Sequence, residues 1–331
     1  MGNTHFDALT DAQCEAAQAA LRHVFGTVPI DAVTRLSGGI TTAAAFRIDA
    51  GGRRYVLRVE GTPSPLRNPH QYVSMRIASE AGIAPRLYYA DEGSRVAVID
   101  YIETQPLGSF AGGPLARAQA LGELRRRLDA TPVFPFFVDY PAIVARLWAH
   151  VCRTGLFAAS VLDPVNERLA DISDAYVWDS ASSVSCHNDP VPTNVLYDGE
   201  RLWLVDWESA YRNDPLVDVA IMCDHLARAP DLEKALLQAW LGRAPDEALR
   251  ARLELVRALT RLYFAGVFLS ASALVPHAAP DPSLAAPTLP ALAQAVDAGR
   301  LKFGTPAHNH VVGKMFIASF LNGYATPVVG V

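Results

Sequence analysis

Residues 186–220, CHNDPVPTNVLYDGERLWLVDWESAYRNDPLVDVA, are the stretch of sequence that decides the fold. Within it, the apolar runs Val195–Tyr197 and Leu202–Val205 flank an Asp-Gly pair, which is a strong signal for a β-hairpin. The loop before the hairpin contains two prolines, each of which removes a backbone donor, so we predict neither helix nor central strand there. The hairpin is predicted to bring Asp206, at the end of its second strand, beside Asn194.

Three polar side chains of this segment have the chemistry that phosphoryl transfer from ATP requires. Asp189 precedes Asn194 by five positions, and the hairpin adds Asp206. One carboxylate can orient an attacking hydroxyl and accept its proton, whereas an amide oxygen and a second carboxylate are oxygen ligands of the kind magnesium prefers. A polar hairpin loop without catalytic chemistry is the alternative interpretation of the same residues.

The segment resembles the catalytic and metal-binding motifs of the choline/ethanolamine kinase and aminoglycoside phosphotransferase superfamily, nearer the choline kinase branch. The matching motifs are His187-Asn188-Asp189 with Asn194, Asp206-Trp207-Glu208, and Asn213-Asp214-Pro215 with Asp218. The resemblance implies a protein-kinase-like fold that uses ATP and Mg²⁺, with Asp189 as the catalytic base. It further implies that Asn194 and Asp206 are the magnesium ligands, and that His187 and Asp218 hold the catalytic loop in shape.

The first hundred residues are predicted to form a small antiparallel sheet. A helix at residues 10–25 begins with a possible capping box of Thr10 and Gln13. The predicted elements that follow are strands at 32–36, 43–48 and 54–59, a helix at 70–81, and strands at 86–89 and 95–100. After Tyr101 the pattern is mainly helical. The predicted fold class is therefore α+β and bilobal, with a nucleotide-binding lobe at 1–101 and a catalytic and acceptor-binding lobe at 102–331.

The first of these lobes is predicted to bind the nucleotide. Backbone amides and hydroxyls of a glycine loop between strands can cover phosphates, although such a loop alone is also an ordinary turn. The residues that resemble the family's phosphate loop are Ser37, Gly38, Gly39, Thr41 and Thr42. Arg58, a cation in an apolar strand, is the candidate phosphate clamp, with a solvated edge-strand arginine as the alternative. Adenine is predicted to bind main-chain groups near Asp100 and Ile102.

One feature of the related kinases has no clear counterpart here. They carry a glutamate on the helix after the third strand, and that glutamate pairs with the strand cation. In this chain the corresponding position falls nearer Gln71 or Met75. Gln71 could accept a hydrogen bond from Arg58 but brings no charge. A nucleotide-binding pseudokinase without transferase activity therefore stays open as a function of a different class.

The acceptor is predicted to be a small molecule, because the chain between Asp206 and Asp218 is too short for a peptide-binding activation segment. Glu208 and Tyr211 are the candidate acceptor contacts, and Glu208 favours a cationic amino alcohol such as choline or ethanolamine. An aminoglycoside or another small molecule is the alternative. Either a cation cage or an ordinary helical core would explain the aromatic residues Tyr211, Trp240, Tyr263, Phe264 and Phe268.

Composition excludes several classes of protein. Half of the 331 residues are apolar, which argues against disorder, and a net charge of −5 argues against a nucleic-acid or polybasic membrane surface. The beginning of the chain has no secretion-signal pattern, the longest apolar run (267–275) is short for a membrane span, and four scattered cysteines suggest reduced thiols. We expect a cytoplasmic protein without membrane insertion; the oligomeric state stays open.

Two further patterns predict surface positions. The triplet Arg125-Arg126-Arg127 is predicted to lie on the solvated face of a helix at 114–129. His308 and His310 have no third ligand at a suitable spacing, so surface histidines are favoured over a zinc site.

Overall fold

The computed structural model describes Phe6 and residues 9–36, 43–61 and 68–323. Those residues contain ten α-helices and nine β-strands. The helices are α1 Asp11–Phe25, α2 Gln71–Glu80, α3 Gly113–Asp129, α4 Tyr140–Arg153, α5 Asp163–Ala175, α6 Leu216–His225, α7 Pro230–Leu241, α8 Glu247–Ser272, α9 Leu289–Asp297 and α10 Pro306–Asn322. The strands are β1 Ile30–Leu36, β2 Ala44–Ala50, β3 Arg53–Val59, β4 Leu87–Asp91, β5 Val96–Asp100, β6 Val184–Cys186, β7 Val195–Tyr197, β8 Leu202–Leu204 and β9 Tyr211–Asn213.

A five-stranded antiparallel sheet with the order β1-β2-β3-β5-β4 forms the N-terminal part, so the predicted α+β class is confirmed. Strand β3 alternates as the sequence predicts: Tyr55, Leu57 and Val59 are buried, whereas Arg58 lies on the opposite, partly exposed face. Since β3 is the central strand, the alternative interpretation of Arg58 as a solvated edge-strand residue is wrong.

Helix α1 closes one face of this sheet. Its capping box is present: the Thr10 hydroxyl accepts from the Gln13 backbone, and the Gln13 side chain accepts from the Thr10 backbone. The helix buries Ala17, Ala20 and Leu21, and the apolar core that it forms with the sheet includes the buried residues of β2 and β3.

The chain forms two compact units, residues 1–137 with 184–212 and residues 138–183 with 213–329. In the first unit, α3 packs against β6 and β8, and the short turn after Asp206 packs against α2. The first compact unit thus contains the hairpin and residues 102–137 in addition to the sheet. The predicted lobe boundary, by contrast, lies between residues 101 and 102. The functional lobe boundary remains a prediction.

The second unit is helical, and α8 is its central element, packing against α4, α6 and α10. Two glycines let these helices approach closely, because an added Cβ would meet Leu147 at 2.7 Å from Gly266 and Leu269 at 2.6 Å from Gly313. Helix α8 is also long and apolar enough to cross a membrane, but 67% of its most apolar window is buried within the protein. That burial is typical of the core helix of a globular unit.

The predicted surface positions need two corrections. Arg125 is fully buried rather than solvated: it donates to the Ser185 carbonyl at 2.9 Å and pairs with Asp129, while Arg126 and Arg127 are exposed. His308 is buried, and His310 contacts Asp281 at 2.9 Å. Within the described ranges, no group of three or more histidine, cysteine, aspartate or glutamate side chains could hold a metal ion.

Candidate active site

The loop that follows β6 is fixed to the segment that carries Asp206. His187 is fully buried, its Nε2 lies 2.9 Å from the Val205 carbonyl oxygen, and its ring contacts that of Trp207. Asn188 has a positive φ of 63° and donates from its side chain to the carbonyls of Ser209 and Tyr211. These bonds tie the loop to residues 205–211, and the role of His187 in shaping the loop stays a prediction.

The structure brings Asp189 and Asn194 together. The loop ends in a short 3₁₀ turn, Pro192–Asn194, and the Asn194 amide nitrogen donates to the Asp189 carbonyl at 2.9 Å and to its carboxylate Oδ2 at 3.0 Å. Pro192 begins this turn, as its fixed φ favours, and Pro190 lies just before it, where the Val191 amide donates to the Asp189 carbonyl at 2.9 Å. One side-chain amide thereby fixes the orientation of the candidate base.

The predicted hairpin is present and delivers Asp206 next to this loop. Strands β7 and β8 pair antiparallel, and just beyond them the Val205 amide donates to the Asn194 carbonyl at 3.0 Å. Asp206 follows directly, in a left-handed conformation with φ 65° and ψ 69°. Such a backbone is uncommon outside glycine, asparagine and aspartate, and it turns the Asp206 side chain away from the strand direction.

A compact ion cluster surrounds the Arg58 side chain. Its Nη2 atom lies 2.9 Å from Asp206 Oδ1, 3.3 Å from Glu60 Oε1 and 4.0 Å from Glu208 Oε2. Burial disfavours the charged form of Arg58, but the carboxylates of Asp206 and Glu60 outweigh it and raise the pKa of the guanidinium above its ordinary value. Arg58 is therefore a permanent positive charge beside three acids.

Glu60 is the partner of Arg58 that the sequence patterns missed. It lies just past β3 and is 2% exposed. Gln71 is buried at the start of α2, and within the described residues the polar contacts of Arg58 go to the three acids rather than to Gln71. The available signal was the position of Glu60 two residues after Arg58, which places both on the same face of an extended strand.

The Asn194 and Asp206 side chains fit a magnesium ion by their donor chemistry. The Asn194 nitrogen is used by Asp189, which leaves the carboxamide oxygen for another partner. Together with the Asp206 carboxylate it offers hard oxygen ligands. A magnesium ion held by two such groups takes its other ligands from water and phosphate.

Two side chains of the α2 region hold the segment after Asp206 in place. The Ala210 carbonyl accepts from Asn68 Nδ2 at 2.5 Å and from Ser74 Oγ at 2.8 Å, and both donors are buried. A double acceptor of this kind fixes the backbone of the turn Trp207–Ser209 against the helix. No local sequence pattern predicts this contact, because it joins residues far apart in the chain.

The predicted nucleotide contacts are described only in part. The phosphate-loop residues Ser37, Gly38, Gly39, Thr41 and Thr42 lie outside the described residues. Asp100 ends β5, where its carboxylate accepts from Tyr88 and Arg53 and its backbone amide donates to the Arg86 carbonyl at 2.9 Å. The Asp100 amide is thus already used within the sheet, and adenine binding near Asp100 and Ile102 stays a prediction.

The candidate acceptor contacts differ in accessibility. The Glu208 side chain is 24% exposed, whereas the ring of Tyr211 is buried and packs 5.6 Å from that of Phe137. In the second unit, Phe264 and Phe268 are buried and stack on Phe316, so these two rings belong to a helical core rather than to a cage.

The segment that resembles a loop brace lies in the second unit. Asp214 is buried and accepts from the Tyr176 hydroxyl at 2.6 Å and from both donors of an Arg252 fork. Asp218 is fully buried in the first turn of α6. The contacts of Asp214 with Tyr176 and Arg252 lie within the second unit, and the role of Asp218 toward the catalytic loop stays a prediction.

Solved structures of kinases share this fold. A choline/ethanolamine kinase family protein from Mesorhizobium loti is 24% identical, with a TM-score of 0.64 over 91% of this chain and 99% of that one. Choline kinase LicA from Streptococcus pneumoniae is 16% identical, with a TM-score of 0.65 over 94% of this chain and all of that one. A spectinomycin phosphotransferase in complex with ADP and spectinomycin is 14% identical, with a TM-score of 0.54 over 77% of this chain and 87% of that one.

Sequence comparison identifies the family. Protein LicA of Haemophilus influenzae (strain ATCC 51907 / DSM 11121 / KW20 / Rd) is 38% identical over 58 residues, which are 18% of this chain and 22% of LicA. The model of the APH family, described as the phosphotransferase enzyme family, matches residues 32–255, a range that contains β3 with Arg58, the catalytic loop and the hairpin. With the kinase-like fold and these motifs in one matched range, the chain belongs to the phosphotransferase enzyme family.

Proposed function

We propose that this protein transfers a phosphoryl group from ATP to a hydroxyl group of a small molecule. The observation that carries the proposal is the joining of Asp189, Asn194 and Asp206 into one loop-and-hairpin arrangement, through the Asn194 side chain on one side and the Val205–Asn194 backbone bond on the other. Family membership and the ADP and AMP complexes of the structural relatives support nucleotide use.

In this reaction Asp189 accepts the proton of the acceptor hydroxyl as its oxygen attacks the γ-phosphorus. Asn194 keeps the Asp189 carboxylate oriented through its amide nitrogen. Arg58 binds the phosphates through its guanidinium, for which its permanent charge and fork geometry suit it. Magnesium, when bound by Asn194 and Asp206, neutralises charge on the phosphates. His187 and Asp218 keep the loop in shape, and Ser37, Gly38, Gly39, Thr41 and Thr42 cover the phosphates.

We propose a cationic amino alcohol such as choline or ethanolamine as the acceptor. The similarity to choline kinase LicA and to a choline/ethanolamine kinase family protein supports this class. Glu208 offers a partly exposed carboxylate, and Tyr211, three residues later in the chain, is buried. An aminoglycoside is the second candidate, because structural relatives include a spectinomycin phosphotransferase and an aminoglycoside-3'-phosphotransferase.

Besides the missing helix glutamate, one contact in the structure favours the pseudokinase interpretation. Asp206, the proposed metal ligand, is already paired with Arg58 at 2.9 Å, which would suit a site that binds nucleotide without turnover. Glu60 weakens this interpretation, because it supplies the carboxylate partner that the helix lacks.

An ATP-consumption screen with magnesium separates these functions. It would offer amino alcohols, aminoglycosides, sugars and homoserine-like hydroxyls as acceptors, with an Asp189→Asn variant as the control for contaminating activity. We expect turnover with an amino alcohol and none with the variant. Turnover with sugars or neutral alcohols alone would contradict the cationic acceptor. Nucleotide binding without any turnover would favour the pseudokinase.

We further propose that the protein works in the cytoplasm, without nucleic-acid partners or membrane insertion. None of the four cysteines, all of which lie in the described residues, forms a disulfide, and three of them are buried, as expected of a reducing compartment. Fractionation of cells that express the tagged protein, with membranes washed in high salt, tests the compartment and the absence of membrane insertion.

A further inference from the structure

The Glu60 carboxylate is held rigidly at the edge of the proposed site. Its backbone amide donates to the Arg95 carbonyl at 3.0 Å, and its carbonyl accepts from the Gln13 side chain at 3.1 Å. The side chain is 3% exposed and lies 3.3 Å from Arg58. A buried carboxylate needs a cation or strong donors nearby, because an uncompensated buried charge is very costly. Arg58 meets that need.

The same nitrogen of Arg58 also serves Asp206. Nη2 lies 2.9 Å from Asp206 Oδ1 and 3.3 Å from Glu60 Oε1, so the two carboxylates share one donor group. They differ in accessibility: the Asp206 side chain is 20% exposed, whereas Glu60 is shielded from water. The Asp206 carboxylate can therefore replace its contact with Arg58 by contacts with a metal ion and water. For the shielded Glu60 carboxylate, losing Arg58 would cost more free energy.

We propose that Glu60 is a positioning residue that retains Arg58 in the site when Asp206 binds magnesium, and that it thereby sets the magnesium dependence of nucleotide binding. The inference rests on the proposed function. Without the Glu60 charge, Arg58 is left to Asp206 and Glu208 and the ion pair with Asp206 tightens. Loss of one negative charge also weakens the attraction of the cluster for a divalent cation. Both effects raise the magnesium concentration that is required.

The test is calorimetric titration of ADP into wild type and Glu60→Gln over a series of magnesium concentrations. We expect the variant to need roughly fivefold to tenfold more magnesium for half-maximal ADP affinity, which corresponds to about one charge-assisted hydrogen bond. Asp49→Asn is the matched control, because Asp49 pairs with Arg47 elsewhere in the same sheet. It should leave the magnesium dependence unchanged.

A double-mutant cycle separates positioning from a purely structural role. Arg58→Met removes the group that Glu60 positions, so adding Glu60→Gln to Arg58→Met should leave only the smaller shift in magnesium dependence that comes from the lost negative charge. The double variant also removes the Glu60 charge that Arg58→Met alone leaves buried without its cation. If Glu60→Gln alone fails to fold, comparison of the double variant with Arg58→Met remains informative. Equal shifts in both backgrounds, or no shift in either, would overturn the inference.

The outcomes also distinguish this inference from the proposed function. If the wild-type protein binds no ADP at any magnesium concentration, the proposed function fails first. If the wild type binds ADP in a magnesium-dependent manner and the Glu60 variants show the same magnesium dependence, only the proposed role of Glu60 is wrong.

Discussion

Single backbone positions decide which substitutions can test the site. Asp206 and Asn188 both have positive φ, a conformation that aspartate and asparagine tolerate better than other side chains. Alanine at position 206 would therefore remove the carboxylate and strain the turn together. Asparagine removes the charge alone, which makes it the cleaner substitution.

We expect Asp206→Asn to weaken magnesium-dependent nucleotide binding by more than roughly tenfold, because it removes a charged metal ligand. Binding of nucleotide in the absence of magnesium should change little. Calorimetry with and without magnesium measures both. Glu200→Gln, at the exposed tip of the same hairpin, is the matched control. An Asp206→Asn variant with wild-type magnesium dependence would exclude Asp206 as a ligand.

Asp189→Asn should lower kcat by roughly 10²–10⁴-fold, the usual contribution of a positioned acid or base. Nucleotide affinity should stay within about twofold, because Asp189 faces the acceptor hydroxyl in the proposed reaction. Steady-state kinetics with the best acceptor from the screen, together with ADP titration, separates the two effects. Turnover close to wild type would remove Asp189 from the chemistry.

Residues differ in how far the sequence predicts their surroundings. The hairpin follows from a local Asp-Gly signal, and the structure has it where the pattern places it. The Arg58–Asp206 pair joins positions 148 residues apart, so only the family resemblance brought them into one site. Arg125 was mispredicted as solvated although it lies four residues after Leu121 and three before Leu128, on the buried face of α3. A helical-face count would have detected it.

At the scale of the helices, α8 depends on close approach at glycines. Gly266 faces Leu147 of α4, and an added methyl group would overlap the leucine side chain. Alanine is the better helix former, so Gly266→Ala should stabilise an isolated helix by about 1 kcal/mol. We expect it to destabilise this protein by about 1–3 kcal/mol instead, because overpacking outweighs propensity.

Denaturant unfolding of Gly266→Ala, Leu147→Ala and the double variant tests this expectation. Leu147→Ala alone should destabilise by creating a cavity, and the double variant should be more stable than the sum of the two single changes predicts. Additive effects would show that the two side chains do not limit the α4–α8 packing.

At the scale of the whole molecule, a buried histidine predicts the pH dependence of stability. His225 packs against the rings of Phe264 and Phe316, and burial lowers its pKa to about 4, with Arg228 and Arg261 acting in the same direction and Asp224 against it. In the unfolded chain His225 is therefore protonated as the pH falls below about 6.5, whereas in the folded protein it stays neutral until about pH 4. Stability should fall as pH decreases through this window.

The expected loss between pH 7 and pH 4.5 is on the order of 1–3 kcal/mol from His225. His308, whose pKa is also lowered by burial, adds to it in the same direction. Urea unfolding of wild type and His225→Gln at several pH values measures the contribution. The variant should show a flatter pH dependence, and an identical slope would mean that His225 does not control it.

The Ala210 carbonyl has a consequence for communication within the first unit. Asn68 and Ser74, in the α2 region, both donate hydrogen bonds to it, and Ala210 lies four residues beyond Asp206. Linkage between two contacts is reciprocal. If a ligand at Asp206 stabilises this turn, it stabilises the hydrogen bonds from Asn68 and Ser74 to Ala210 by the same free energy. We therefore expect Ser74→Ala, which removes one donor to this carbonyl and lies outside the proposed ligand contacts, to lower ligand affinity, as ADP titration of the variant would measure.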